Sequence, residues 1–101
     1  MSLSKEEGNL LLDFYSSLLT DKQNDVLNQY YALDYSLSEI AENLNVTKSA
    51  ISDLLNRSNN QLIDYENKLK LVKKYKNRQI LYDKFSNDNT KELIAKLRNL
   101  D

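Results

Sequence analysis

The chain has no cysteine, no histidine, no proline and no tryptophan, and one glycine in 101 residues. Without cysteine there are no disulfides, no thiol nucleophile and no thiolate-held zinc. Without histidine, imidazole acid–base catalysis and the commonest metal ligand are gone as well. The lone Gly8 rules out a glycine-rich loop cradling phosphate. With so little glycine and no proline, hairpin and strand signals are nearly absent and the reading is all-helical. No apolar run approaches the ~18 residues of a membrane span, and no leader pattern is visible. The expectation is a cytoplasmic protein without a membrane span, without a cofactor or metal, and without catalytic activity, since no nucleophile–base pair is present.

Charge is nearly balanced, at −1 overall. Nucleic-acid binders often carry a basic balance or stripe, so the distribution matters more than the sum. Acids dominate the first third of the chain. Lys73, Lys74, Lys76 and Arg78 then fall together with no acid among residues 71–78. Extended back through Lys70 and Lys68, the run reads KLKLVKKYKNR.

The most informative stretch is LSEIAENLNVTKSAISDLLN, residues 37–56. Ser36 with Glu39 makes a capping box at a helix start. Ile40, Ala41 and Leu44 mark an inward face. Asn45 suits a left-handed turn, which Asn tolerates better than most residues with a Cβ. Val46 is expected to plug that turn. Thr47 caps the next helix, with Ile51, Leu54 and Leu55 inward. Two helices meeting at a wide angle need a small side chain at the contact, and Ala41 stands there. The pattern is a helix-turn-helix.

Around it the spacing predicts a first helix from Leu3 to Leu19, with Leu10, Leu11, Phe14, Tyr15 and Leu18 as its apolar set and Leu12 and Leu19 widening it. Thr20 with Gln23 is a second capping box, opening a helix to about Leu33 that carries Val26, Leu27, Tyr30 and Tyr31. Ile51, Leu55, Ser58, Leu62, Tyr65 and Leu69 form a heptad-like seam, so the second motif helix is expected to continue to Leu69. After a break near Lys70, a fifth helix runs from Leu71 to about Phe85. A loop over 86–89 precedes a last helix capped by Thr90, with Leu93, Ile94, Leu97 and Leu100 on one face. The tyrosines Tyr30, Tyr31, Tyr65 and Tyr82 are expected in the core with their hydroxyls reaching the surface. The acids Glu6, Glu7, Asp21 and Asp25 are expected on the surface.

LLTDKQNDVLNQYYALDYSLSEIAENLNVTKSAISDLLNR resembles the DNA-reading helix-turn-helix in region 4 of bacterial sigma factors. The likeness lies in the opening "LT..Q..V", the pair Tyr30–Tyr31, and SLSEIAENLNV. Over about residues 10–85 the chain also resembles the YlxM family of small bacterial proteins, in LLLDFYSSLLTDKQ and around QLIDYENKLKL. Asn45 and Lys70 stand where those relatives tend to have glycine. The resemblance implies an all-α DNA-binding regulatory protein: a sigma region 4-like three-helix core with extra N-terminal and C-terminal helices. It also implies an association with the signal recognition particle pathway. The expected organisation is one helical domain over 1–101, with the helix-turn-helix core at 19–69 and a C-terminal extension at 70–101.

In this motif the N-terminal half of the second helix enters the major groove. Off its buried face lie Lys48, Ser49, Ser52, Asp53, Asn56 and Arg57. Lys48 and Arg57 suit phosphate or guanine, Asn56 suits adenine, and the serines suit bases or phosphates. Asp53 suits cytosine but repels phosphate. Lys68, Lys73, Lys74 and Lys76 add a second cationic group for DNA or structured RNA. The functional expectation is a DNA-binding regulator. The alternative is an accessory protein that contacts signal recognition particle RNA or its proteins without sequence-specific DNA binding. A homodimer built on the Leu10–Leu19 and Leu93–Leu100 faces is compatible with both.

Overall fold

The computed structural model describes residues 3–87, with side chains through Phe85. It forms α1 (Lys5–Tyr15), a 3-10 turn (Ser16–Leu18), α2 (Asp21–Leu27), a π-helical turn (Asn28–Ala32), α3 (Leu37–Leu44), α4 (Lys48–Leu69) and α5 (Leu71–Asn87). Among the described residues there is no strand. The fold is all-α. Contacts divide the chain into two compact units, Met1–Lys70 and Leu71–Asp101. The expected helix with Leu93, Ile94, Leu97 and Leu100 lies outside the described residues.

Local capping chemistry sets the helix starts of the first unit. Ser4 Oγ accepts from the Glu7 amide at 3.1 Å. Thr20 and Gln23 close a reciprocal box at the start of α2, and Ser36 and Glu39 do so at α3. Thr47 accepts from the Ala50 amide at 3.1 Å to open α4. Each such cap contributes about 1 kcal/mol by occupying an amide that the helix leaves unpaired.

The helix ends are equally specific. Asn45 takes the left-handed conformation at φ 55° and ψ 46°. Its amide donates to the Glu42 carbonyl at 3.2 Å, while the Val46 amide reaches the Ala41 carbonyl at 3.0 Å. That pair of bonds is a Schellman closure, usually completed by glycine. Lys70 also ends α4 left-handed, at φ 54°, but with a single bond from its amide to the Glu66 carbonyl at 2.8 Å. Both positions thus hold the left-handed backbone that glycine would favour.

The core of the corner is Val26, Ile40, Ala41 and Ile51, with Tyr30, Tyr35, Leu37, Leu44 and Leu54 packed against it. Val26 and Ile40 are wholly shielded and Ile51 is 1% exposed. Each such aliphatic contributes about 1.5–3 kcal/mol by leaving water. Ala41 lies in this cluster, where α3 meets α4, as the motif requires. Val46 does not plug the turn. Its backbone closes the Schellman bonds and its side chain is exposed. Leu18 is also exposed, because the chain tightens into a 3-10 turn after Tyr15 and the α-helical spacing no longer holds. Leu12, expected at the margin of the band, is buried in its place.

α4 is one continuous helix of 22 residues. At ~1.5 Å per residue it is about 33 Å long. It packs against α1, α2 and α3. Ile51, Leu55, Ser58 and Leu62 of the expected seam are buried, Tyr65 is half-buried, and Leu69 is exposed. Asn59 is buried as well. Its Oδ1 accepts from the Tyr31 hydroxyl at 2.7 Å. The Tyr31 hydroxyl therefore ends on a side chain inside the unit, not at the surface, and burial pushes its pKa up. Tyr15 is fully buried and donates to Glu66 Oε1 at 2.6 Å.

The helix expected to reach Leu33 ends in a π-helical turn at Ala32. There the Leu33 amide bonds the Asn28 carbonyl at 3.0 Å. The wide turn sets Tyr30 edge-on to Tyr31 with ring centres 5.0 Å apart. Lys5 fastens α1 to this segment. Its Nζ donates to the Tyr30 carbonyl at 2.7 Å, lies 3.2 Å from the Tyr30 ring centre and pairs with Asp34 at 3.3 Å. Gly8 sits directly against the Tyr31 ring, and a Cβ there would enter the space of three ring atoms. The only glycine of the chain is thus placed where α1 comes closest to a buried aromatic side chain.

In the second unit α5 begins one residue after α4 ends and continues to Asn87, two residues past Phe85. Residues 86 and 87, expected in a loop, are helical.

Candidate nucleic-acid interface

α4 presents the polar edge. Lys48, Ser49, Asp53, Asn56 and Arg57 are exposed and Ser52 is half-buried. Ile51, Leu55 and Ser58 face inward, Ser49, Asp53, Asn56 and Arg57 turn away from them, and Lys48 and Ser52 flank the buried side. The outward edge is therefore held by the same helix that fills the core, and each side chain's direction follows from its position in the 3.6-residue turn. Lys48 and Arg57 are nine residues apart, or about 13 Å along the axis, with Asp53 between them.

Two depressions flank this edge. One, of about 300 Å³, is lined by Ser52 and Asn56 together with Leu3, Tyr30, Tyr31, Leu37, Leu55 and Asn59. The other, of about 370 Å³, lies between α2 and α4 and is lined by Thr20, Lys22, Gln23, Leu54, Arg57, Ser58 and Gln61. Its floor is rigid. Gln23 Nε2 donates to Gln61 Oε1 at 2.7 Å and to Ser58 Oγ at 3.2 Å, and Gln61 Nε2 donates to the Tyr65 hydroxyl at 3.2 Å. Lys22 and Arg57 stand at its rim, and neither forms an ion pair among the described residues. No carboxylate lines it.

Lys22 is the residue that sequence reasoning missed. It belongs to α2, outside the motif, and nothing local ties it to Arg57.

Of the second cationic group, Lys68 stands away from this edge on the same helix. Lys68 lies on α4 about 30 Å beyond Lys48 along the axis and pairs with Asp64 at 3.0 Å. Lys73, Lys74 and Lys76 are exposed on α5, in the other unit. Consecutive helical positions diverge by about 100°, so Lys73 and Lys74 do not share a face.

The family model described as "Putative helix-turn-helix protein, YlxM / p13 like" matches residues 4–100. The chain belongs to the UPF0122 family. It is 40% identical over 102 residues to a UPF0122 protein of Listeria innocua, covering 92% of this chain and 93% of the relative. It is 47% identical over 87 residues to a UPF0122 protein of Malacoplasma penetrans, covering 86% and 81%. With a Clostridium acetobutylicum UPF0122 protein it shares 43% identity over 100 residues, covering 88% and 86%. The helix-turn-helix of the UPF0122 description corresponds here to α3, the Asn45 turn and the first half of α4. No helix among the described residues is long and apolar enough to cross a membrane.

Proposed function

We propose that this UPF0122 protein is a DNA-binding regulator that seats the N-terminal half of α4 in the major groove. The observation that carries this reading is the division of one helix. Ile51 and Leu55 are buried, while Lys48, Ser49, Asn56 and Arg57 are exposed on the same turns. Lys48 and Arg57 contact phosphate or guanine, Asn56 reads adenine, and Ser49 and Ser52 add base or phosphate contacts. Asp53 restricts the choice, since a carboxylate accepts from cytosine and repels phosphate. Lys22 joins Arg57 at the rim of its cleft as a further phosphate contact. The protein acts by binding, in the cytoplasm, without a cofactor.

The test is fluorescence anisotropy with operator-like duplexes, random duplex and signal recognition particle RNA, each at two salt concentrations. The double variant Lys48→Ala, Arg57→Ala is expected to weaken duplex binding at least tenfold. It should also reduce the log–log salt slope by about 2, close to 0.9 per lost phosphate contact. Unchanged affinity in that variant refutes the reading.

A second reading is favoured by α5, whose Lys73, Lys74 and Lys76 are exposed with no acid among residues 71–78. In it the protein works in the signal recognition particle pathway, binding the particle's RNA or proteins through the Lys68–Arg78 run. Tighter binding of that RNA than of any duplex, lost on Lys73→Ala with Lys74→Ala and Lys76→Ala, selects it. A homodimer fits either reading, and sedimentation across a concentration series decides its presence.

A further inference from the structure

The cleft lined by Ser52 and Asn56 holds a group that the α4 edge does not account for. Asn59 also lines it and is 5% exposed. Its Oδ1 is committed to the Tyr31 hydroxyl at 2.7 Å. Its Nδ2 finds no acceptor among the described residues. That nitrogen is still reachable from solvent, unlike Asn24 Oδ1, which is sealed off. A buried side chain fixed through one atom and unpaired at the other is a positioned donor that calls for an acceptor.

Ser52, Asn56 and Asn59 follow one another at spacings of four and three, so a hydroxyl and two amides form one stripe along α4. Leu3, Leu37 and Leu55 supply apolar lining. Among the described residues no charged side chain lines the cleft, in contrast to the one with Lys22 and Arg57 at its rim. At about 300 Å³ it stands at the lower end of the ~300–1,000 Å³ of small-ligand sites.

These features select the chemistry of an occupant. A phosphate finds no counter-charge here, and an aliphatic chain leaves Asn59 Nδ2 unpaired. A flat, uncharged ring with acceptors and donors on its edge meets both demands, its body against the leucines and its edge against the stripe. Nucleobases are such rings, and an Asn amide can bond a base edge through two atoms at once. The cleft shares Ser52 and Asn56 with the edge that carries nucleic acid in the reading above, so a base-sized slot borders the path proposed for the strand.

We propose that this cleft takes a single unpaired nucleobase, with Asn59 Nδ2 donating to a ring nitrogen or carbonyl of the base and Asn56 completing the edge. A base inside a perfect duplex is stacked and paired, so the cleft favours a strand with an extruded or unpaired base, or a free nucleoside. The strand-borne form rests on the groove reading, whereas recognition of the base itself does not.

The first arm of the test needs no nucleic acid. The full chain, labelled with ¹⁵N, is titrated with adenosine, cytidine and uridine, none of which carries a phosphate, while the side-chain amide signals of Asn56 and Asn59 are followed. Saturable shifts at both amides are expected with at least one nucleoside, and an apparent Kd at least fivefold weaker in Asn56→Ala. Asn56 is exposed, so that variant leaves the fold intact, whereas Asn59→Ala would also strip the Tyr31 hydroxyl of its partner. N-methylacetamide, a peptide-like edge without a ring, should give no saturable shift. The second arm compares, by fluorescence anisotropy, a duplex with the same duplex carrying one unpaired base. Binding at least threefold tighter to the bulged duplex, with the preference lost in Asn56→Ala, identifies a strand-borne base. Nucleoside shifts without that preference identify a free nucleoside. No saturable shift with any nucleoside, an unchanged response in Asn56→Ala, or an equal response to N-methylacetamide overturns the inference. Unchanged duplex affinity in the Lys48→Ala, Arg57→Ala variant would strike the groove reading and leave the nucleoside titration untouched.

Discussion

Gly8→Ala sets two effects against each other. In an open helix the change would stabilise by up to about 1 kcal/mol, since glycine is the poorer helix former. Here the added methyl would meet three atoms of the Tyr31 ring. That ring cannot swing away at low cost. It is 4% exposed, its hydroxyl donates to buried Asn59, and its neighbour Tyr30 is held by Lys5. Overpacking of a core costs about 1–3 kcal/mol, and a ring pinned on both sides belongs at the upper end. The net expectation is destabilisation by about 2 kcal/mol, or roughly 8–16 °C in Tm for a unit of this size. Urea unfolding followed by circular dichroism at 222 nm measures it. Pairing Gly8→Ala with Tyr31→Leu, which opens the space, should cost at least about 1 kcal/mol less than the two single changes added. A neutral or stabilising Gly8→Ala, or simple additivity in the pair, would refute the close packing of α1 on Tyr31.

Ile51→Ala should cost about 2–5 kcal/mol, because its site is closed on all sides and cannot collapse, and the urea midpoint reports it directly. Asn45→Val should cost about 1–2 kcal/mol by forcing a β-branched residue into the left-handed region, whereas Asn45→Gly should change stability by less than about 1 kcal/mol. For Tyr31 the folded pKa lies above the ordinary 10.0. The unfolded chain therefore releases the proton first as pH rises. The contribution is complete below pH 10 and is lost as pH climbs through the folded value. Urea midpoints between pH 8 and 11 should fall less steeply in Tyr31→Phe than in the parent, and equal slopes would contradict this.

The parts of the fold that were legible in the sequence are those set by residues a few positions apart. The boxes at Thr20 and Ser36, the Thr47 cap, the left-handed Asn45 and the α4 seam all depend on spacings of three or four. Continuity of α4 through Ser58-Asn59-Asn60 was readable only because the apolar seam resumes at Leu62. What escaped depends on partners far along the chain. Asn59 looks like a surface residue until Tyr31 is brought to it, 28 positions away, and the partner of Ser58 in the seam, Gln23, lies 35 positions away. Leu18 and Val46 were misplaced because a 3-10 turn and a Schellman closure alter the direction that α-helical counting assigns. In the candidate site, the outward direction of Lys48, Ser49, Asp53, Asn56 and Arg57 followed from helical geometry alone. Lys22 could not be added that way, since its closeness to Arg57 exists only after α2 packs across α4.

One rod supplies both the keel of the first unit and its outward polar edge, and this restricts how that edge can be altered. Inserting or deleting a single residue between Asn56 and Leu62 would swing every earlier side chain of the helix by about 100°, carrying Ile51 off the core. Changes of length are thus closed to this helix. A new binding preference has to come from exchanging side chains at fixed positions, one at a time, on a backbone that the rest of the unit holds still.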